Sequence, residues 1–162
     1  MKELTADRLR EILAYDPETG VFTWKVRTAN CVRVGDVAGS FDDKGYIKIK
    51  IDGRMHKAHR LAWLYVHGVW PKSGIDHVNS VRDDNRSANL REATQAENMQ
   101  NERVSRSNNK TGFLGVAPSY GKFQARIVVD GKKMHIGTFD TPEEAHAAYL
   151  AAKREFHPFG TI

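Results

Sequence analysis

The segment "GIDHVNSVRDDNRSANLREATQAENMQN", residues 74–101, decides the fold, because it predicts a strand, a loop, a second strand and a helix in close succession. The pair Asp76-His77 lies in the first predicted strand, "NSVRDDNRSAN" is a polar loop, and "LREA" returns as a short strand. Thr94 and Glu97 have the spacing of a capping box, which marks the start of a helix.

This predicted unit carries side chains that suit metal-assisted hydrolysis. Asn98 falls in the first turn or so of the helix and would lean back onto the strand that carries Asp76 and His77. Aspartate and asparagine oxygens are hard ligands for Mg²⁺ or Mn²⁺, and a neutral histidine can deprotonate a water for attack on phosphorus. The alternative is a structural histidine. Adjacent strand residues point to opposite faces, so Asp76 and His77 share one site only if the strand end twists or bulges.

Asp76-His77, the "NRSANLR" run and Asn98 resemble the HNH endonuclease motif on a ββα-metal fold, in the form common among phage and intron-encoded homing endonucleases. The resemblance implies that His77 is the general base and that Asp76 and Asn98 bind one divalent ion, Mg²⁺ or Mn²⁺. It also implies that Asn89 holds the loop so that the ring of His77 is oriented. His59, in "HRLAWLYVHG", falls where such proteins often carry a histidine shortly before the motif, and it is a further candidate catalytic residue. Asn98 replaces the final histidine of many HNH proteins.

A second module is predicted by "GKFQARIVVDGKKMHIGTFDTPEEAHAAYLAAKREF", residues 121–156. Apolar and polar residues alternate over 122–129, a tight Asp-Gly turn follows, and a return strand leads into a helix. Thr141 and Glu144 form a second capping box at the start of this helix. The module is therefore a small sheet with one helix.

Residues 106–162, through "GFLGV", "YGKFQARI" and "IGTFDTPEEAHAAY", resemble the APETALA2/ethylene-response-factor DNA-binding domain, a three-stranded antiparallel sheet packed on one helix. Such domains are also found fused behind phage HNH nucleases. The resemblance implies a sheet face that enters the DNA major groove and presents Tyr120, Lys122, Arg126, Lys133 and His135. Strand alternation puts Gln124 on the same face as Lys122 and Arg126, and Lys132 is a further candidate contact. Leu114 and Ala117 stand where plant members often carry arginine, so we do not transfer the plant target sequence.

The distribution of charge is consistent with a nucleic-acid partner. The formal net charge is +5, and residues 102–135 alone carry seven Lys/Arg and two acidic residues, a surplus as large as that of the whole chain. Lys48 and Lys50 alternate with isoleucines and predict a second basic strand face. Cations that neutralise phosphates release counterions and give sequence-independent affinity for DNA. The alternative in both places is a solvated charged surface.

Length and composition predict an α+β protein of one or two small domains. We expect an HNH domain at 1–101 with an N-terminal sheet and helix elaboration, a linker at 102–111, and an APETALA2-like domain at 112–162. The single cysteine, Cys31, excludes an internal disulfide framework and a multi-cysteine zinc site. No apolar run has the length of a membrane span or of a signal-peptide core, so we expect a cytoplasmic protein of a bacterial or phage-infected cell, with no membrane partner.

Together these features predict a metal-dependent HNH endonuclease of the homing type that hydrolyses duplex DNA and leaves 5′-phosphate and 3′-hydroxyl ends. The alternative is a non-catalytic DNA-binding transcriptional regulator whose HNH module is only a scaffold. The sequence identifies no protein partner and leaves open the target site, nicking against double-strand cleavage, and a monomer against a homodimer.

Overall fold

The structure is a computed structural model, and it describes residues 3–101, 105 and 109–160. The chain forms two compact units, Met1–Ala93 and Thr94–Ile162. Most of the predicted linker lies outside the described residues. The predicted domain bounds therefore stay predictions.

The first unit contains two helices and three small antiparallel sheets among its described residues. The helices are α1 (Ala6–Ile12) and α2 (Ala58–His67). The strands are β1 (Leu13–Tyr15), β2 (Phe22–Trp24), β3 (Ser40–Phe41), β4 (Ile47–Ile51), β5 (Arg54–Lys57), β6 (Gly74–His77) and β7 (Leu90–Ala93). They pair as β1-β2, β3-β4-β5 and β6-β7, and a short 3-10 turn at Ser87–Asn89 precedes β7.

Local signals explain most of these bounds. Thr5 caps α1, because its side chain accepts a hydrogen bond from the Arg8 N–H at 3.2 Å. Helix α2 ends at Gly68, which takes the left-handed conformation with φ 76°. The isoleucines of β4 face the core and its lysines face outward, as their alternation predicts. The core of this unit is formed chiefly by Leu9, Ile12, Leu13, Phe22, Ile49, Leu61 and Leu64.

The predicted strand, loop, strand and helix over 74–101 are present in that order. Strand β6 pairs with β7 in regular antiparallel register, and Asp76 lies opposite Arg91 while His77 lies opposite Leu90. Helix α3 (Gln95–Gln100) begins with the predicted capping box and belongs to the second unit. The ββα-metal arrangement itself stays a prediction.

The second unit contains a three-stranded antiparallel sheet and a long helix. Its strands are β8 (Val116–Ser119), β9 (Lys122–Val129) and β10 (Lys132–Phe139), in the spatial order β10-β9-β8, and they are followed by α4 (Pro142–Phe156). The pattern of the sequence predicts the β9-β10 hairpin and the helix, and the third strand is the one that the resemblance implies. The buried core lies between the sheet and α4 and comprises Val116, Ala125, Ile127, Ala145, Tyr149 and Ala152. The fold is therefore a mixed α and β structure with small antiparallel sheets. Among the described residues, no helix is both long and apolar enough to cross a membrane.

Candidate functional site

His77 ends β6 with its ring enclosed by other rings and by an amide. Its side chain is buried, and its ring meets that of His59 edge-on at 5.1 Å and lies 6.0 Å from the ring of Tyr46. The Asn85 side chain donates through Nδ2 to the Asp83 carbonyl at 3.1 Å, which turns its oxygen Oδ1 toward His77 Nε2 at 3.3 Å. An amide oxygen only accepts, so this contact assigns the proton of the neutral ring to Nε2.

The two neighbouring histidines are both held in the neutral form. Burial lowers the pKa of His77, against the opposing effects of the Asn85 hydrogen bond and of the Asp76 charge. Burial, and then the charge of His77, lowers the pKa of His59 to about 3. Within the part of the chain that the structure describes, the buried Nδ1 atom of His59 has no hydrogen-bond partner. At neutral pH both rings are therefore uncharged bases.

Asn89 closes the polar loop between β6 and β7. Its side-chain carbonyl accepts from the Asn79 N–H at 3.0 Å, and its Nδ2 donates to the Asp84 carbonyl at 2.8 Å. Its own backbone carbonyl accepts from the Val78 N–H at 2.9 Å. Asn89 is buried, so these bonds replace the water that its amide would otherwise bind. They tie both ends of the loop together directly after His77.

The turn between β1 and β2 packs against the same loop from outside it. The Tyr15 hydroxyl donates to the Asn85 carbonyl at 2.7 Å, and the Ser87 N–H donates to the Pro17 carbonyl at 3.1 Å. Burial raises the pKa of Tyr15 to about 12, so its hydroxyl remains a donor. The backbone of Gly20 lies so close to that of Asn85 that no Cβ would fit between them. The N-terminal hairpin therefore braces the backbone that carries the His77 partner.

Asp76 directly precedes His77 in the sequence and is also buried, but it has different contacts. Its Oδ2 atom accepts from Nε and Nη2 of Arg91, the residue opposite it on β7, at 2.9 and 2.7 Å. The register of β6 with β7 continues without a bulge through His77, so this hairpin lacks the bulge that would turn both side chains to one face.

The proposed metal ligands suit a hard divalent ion by their chemistry. Asp76 supplies a buried carboxylate whose charge Arg91 balances, and Asn98, exposed on α3 in the second unit, supplies an amide oxygen. Among residues 3–101, 105 and 109–160, no three His, Cys, Asp or Glu side chains form a metal-binding group. Mg²⁺ commonly keeps water and phosphate oxygens in its shell and needs only one or two protein carboxylates.

The sheet of the second unit presents one face away from α4. Arg126 lies opposite His135 and Gln124 lies opposite Thr138, while the intervening Ala125 and Ile127 face the helix. Lys133 shares the outer face, since it lies opposite Val128. On this face Gln124 accepts a hydrogen bond from Arg126. Five predicted DNA contacts thus lie on one surface, namely Lys122, Gln124, Arg126, Lys133 and His135, and Lys122 also forms an exposed ion pair with Asp140 at 2.8 Å.

The remaining predicted DNA contacts occupy other positions. Tyr120 is fully exposed in the turn between β8 and β9. Lys132 lies opposite Val129 at the end of the β9-β10 hairpin, so strand alternation places it on the helix side of the sheet. Lys48 and Lys50 lie on the outer face of β4 in the first unit.

Three residues around the site were missed by sequence reasoning, namely Tyr46, Asn85 and Arg91. Tyr46 and Asn85 contact the ring of His77, and Arg91 pairs with Asp76. Only Arg91 had a signal that could have revealed it, because hairpin register places it opposite Asp76. Tyr46 and Asn85 lie in loops, where alternation predicts no facing residue.

Residues 56–100 match the family model described as HNH endonuclease. The matched segment is shorter than half of the chain, and it contains His59, Asp76, His77, Asn89 and Asn98. No curated protein and no solved structure matches the chain. The match supports a nuclease domain that acts on DNA in this part of the chain, and the APETALA2-like character of the second unit stays a prediction.

Proposed function

We propose that this chain is a metal-dependent endonuclease of the homing type that hydrolyses a phosphodiester bond in duplex DNA. The family match at 56–100 supports a nuclease. The observation that carries the proposal is the state of His77, a buried histidine whose ring is oriented by Asn85 and whose pKa is lowered by burial. A histidine that is neutral and fixed before the substrate arrives has the properties of a general base.

In this mechanism His77 takes the proton of the attacking water. Hydrolysis then leaves a 5′-phosphate and a 3′-hydroxyl. Asn85 orients the ring and Asn89 holds the loop, so little reorganisation is needed when DNA binds. His59 packs against the same ring and, being neutral, does not repel the proton that His77 accepts.

Asp76 and Asn98 are the proposed ligands of the divalent ion, and because the hairpin has no bulge, twist of the strand end would have to bring Asp76 to the phosphate that His77 serves. A bound Mg²⁺ or Mn²⁺ would polarise the scissile phosphate and stabilise the negative charge on the leaving 3′-oxygen. Arg91 holds the Asp76 carboxylate in one orientation and balances its charge when the protein is folded.

Target recognition is proposed for the outer face of the second unit, in the manner of an APETALA2-like sheet. Arg126, Lys133 and His135 lie close together on that face, where a major groove could receive them. Lys122 would extend the contact at the start of β9, and Tyr120 would do so from the turn before it. Lys132 would reach phosphates from the end of the β9-β10 hairpin. Lys48 and Lys50 would contact phosphates from the nuclease unit.

The decisive experiment is nicking of supercoiled plasmid by purified protein with Mg²⁺ or Mn²⁺, with and without a chelator. We expect relaxed plasmid with the metal, none after chelation, and almost none from His77→Ala. His67→Ala is the matched control, because His67 is exposed at the end of α2 and stacks on Trp63. DNA binding without any metal-dependent cleavage would instead identify the chain as the non-catalytic regulator. Cleavage that survives complete chelation would exclude the metal.

A further inference from the structure

The ring of Tyr46 links the candidate general base to two cations. It lies 6.0 Å from the His77 ring, 4.8 Å from the Lys57 ammonium and 5.5 Å from the Arg82 guanidinium carbon. Cations are attracted to the face of an aromatic ring, so Tyr46 is a platform that holds positive charge near His77.

Most of the cations around this site are already neutralised. Lys57 pairs with Asp42, and two arginines of the β6-β7 hairpin pair with the carboxylates of Asp84 and Asp76. Arg82 differs, because its guanidinium donates to the backbone carbonyl of Lys44 at 2.8 Å and lies by the Tyr46 ring. Within residues 3–101, no carboxylate forms an ion pair with Arg82.

An arginine held by neutral groups keeps its full charge for an anion. Arg82 is exposed, and the carbonyl of Lys44 engages one nitrogen of a guanidinium that has five N–H donors. The planar fork of a guanidinium matches the oxygens of a phosphate. A ring and a carbonyl that fix its position reduce the entropy lost when the phosphate binds.

The distances also restrict which phosphate this is. The Tyr46 ring contacts both His77 and Arg82, so the separation of these two groups cannot exceed the sum of their distances to that ring. That limit is on the order of three nucleotide steps, each counted as 3.4 Å along the helix axis.

We propose that Arg82, seated on Tyr46, binds a backbone phosphate of the DNA within about three nucleotides of the bond that His77 attacks. This inference rests on the proposed function for the position of the phosphate. The contact itself is independent of cleavage.

The first test measures the affinity of the full chain for a fluorescent random-sequence duplex over a series of salt concentrations. Arg82→Gln should reduce the slope of log affinity against log salt by about 0.9, because one phosphate contact is lost. Arg82→Lys keeps the charge and should keep the slope. Arg27→Gln is the matched control, because Arg27 is also exposed and also donates to backbone carbonyls, those of Ala29 and Asn30.

The second test locates the phosphate with duplexes that carry one uncharged methylphosphonate at each position around the mapped nick. Wild type should lose affinity at one position within three nucleotides of the nick, and Arg82→Gln should be indifferent there.

The outcomes separate the two proposals. A protein that binds with the expected slopes but never nicks contradicts the proposed function alone. A nicking wild type whose slope is unchanged in Arg82→Gln overturns the inference alone, as does a sensitive phosphate that is the same in both proteins. If the wild type binds no duplex, both fail.

Discussion

Gly20 tests whether the β1-β2 turn supports the loop that carries Asn85. Its φ is +74°, and a Cβ placed on it would lie 2.5 Å from the backbone nitrogen of Arg86 and from the carbonyl carbon of Asn85. Gly35 offers a matched control in the same unit, because its φ is +91° and a Cβ there would meet nothing within 4 Å. Gly20→Ala and Gly35→Ala thus share the cost of a left-handed backbone, and only Gly20→Ala adds a steric overlap.

The magnitude follows from these two contributions. A side chain in the left-handed region costs about 1–2 kcal/mol, which is the whole loss expected for Gly35→Ala. The overlap at Gly20 involves backbone atoms, which no change of rotamer relieves, and a forced backbone shift costs about 1–3 kcal/mol more. We therefore expect Gly20→Ala to lower the free energy of unfolding by that additional amount relative to Gly35→Ala.

Urea unfolding followed by tryptophan fluorescence measures this difference. The three tryptophans of the chain, Trp24, Trp63 and Trp70, all belong to the first unit, so the signal reports the unit that contains Gly20. Plasmid nicking should fall in Gly20→Ala as well, since displaced Asn85 no longer orients His77. Equal losses of stability in the two variants would refute the idea that the turn supports the loop.

Four further outcomes are expected. Because burial lowers the pKa of His77, nicking should persist as pH falls below 6.5. The hydrogen bond to Asn85 raises that pKa, so its removal in Asn85→Ala should move the acid limb of kcat/KM to still lower pH. An acid limb above pH 6.5 would count against His77 as the base. His59 has a pKa of about 3 in the folded protein and 6.5 when exposed, so the unfolded chain binds more protons between these two values. The free energy of unfolding should therefore fall as pH drops from 6.5 toward 3, and His59→Phe should flatten this fall in urea titrations. The same dependence of the free energy of unfolding on pH in both proteins would contradict this prediction. Asp76→Ala should raise the Mg²⁺ concentration needed for half-maximal nicking more than Asn98→Ala does, because a carboxylate carries a full charge and an amide only a dipole. A larger effect of Asn98→Ala in a metal titration would exclude Asp76 as the main ligand. Arg126→Ala should weaken binding to the specific duplex by about 1–3 kcal/mol if Arg126 reads a guanine edge. Arg154→Ala, on α4, is the control. Equal affinities of both variants in fluorescence anisotropy would exclude the outer sheet face from recognition.

Features set by neighbouring residues could be predicted from the sequence. The capping boxes at Thr94 and Thr141 each need a hydroxyl and a glutamate three residues apart, and both form as predicted. The Asp52-Gly53 and Asp130-Gly131 turns put both residues at positive φ, which such pairs tolerate, and each turn joins the two strands beside it. The order of elements over 74–101 followed from the same local reasoning.

The surroundings of His77 could not be predicted in this way. Asn85 is one of several asparagines and aspartates in a polar loop, and its choice as ring partner depends on how that loop closes. Tyr15 supports the loop from 70 residues away in the chain. Such contacts depend on packing between distant segments, and a single sequence carries no periodic signal for them.

Asp76 and His77 show the difference between what local sequence determines and what tertiary packing decides. The sequence by itself determined that a carboxylate and an imidazole end one strand, before a polar loop and a capped helix. The tertiary structure alone decided that Asp76 meets Arg91 across the hairpin while His77 meets His59, Asn85 and Tyr46. The physical reason is that backbone preferences act over a few residues, whereas burial, which lowers the pKa of His77, arises only when distant segments pack and exclude water from the ring.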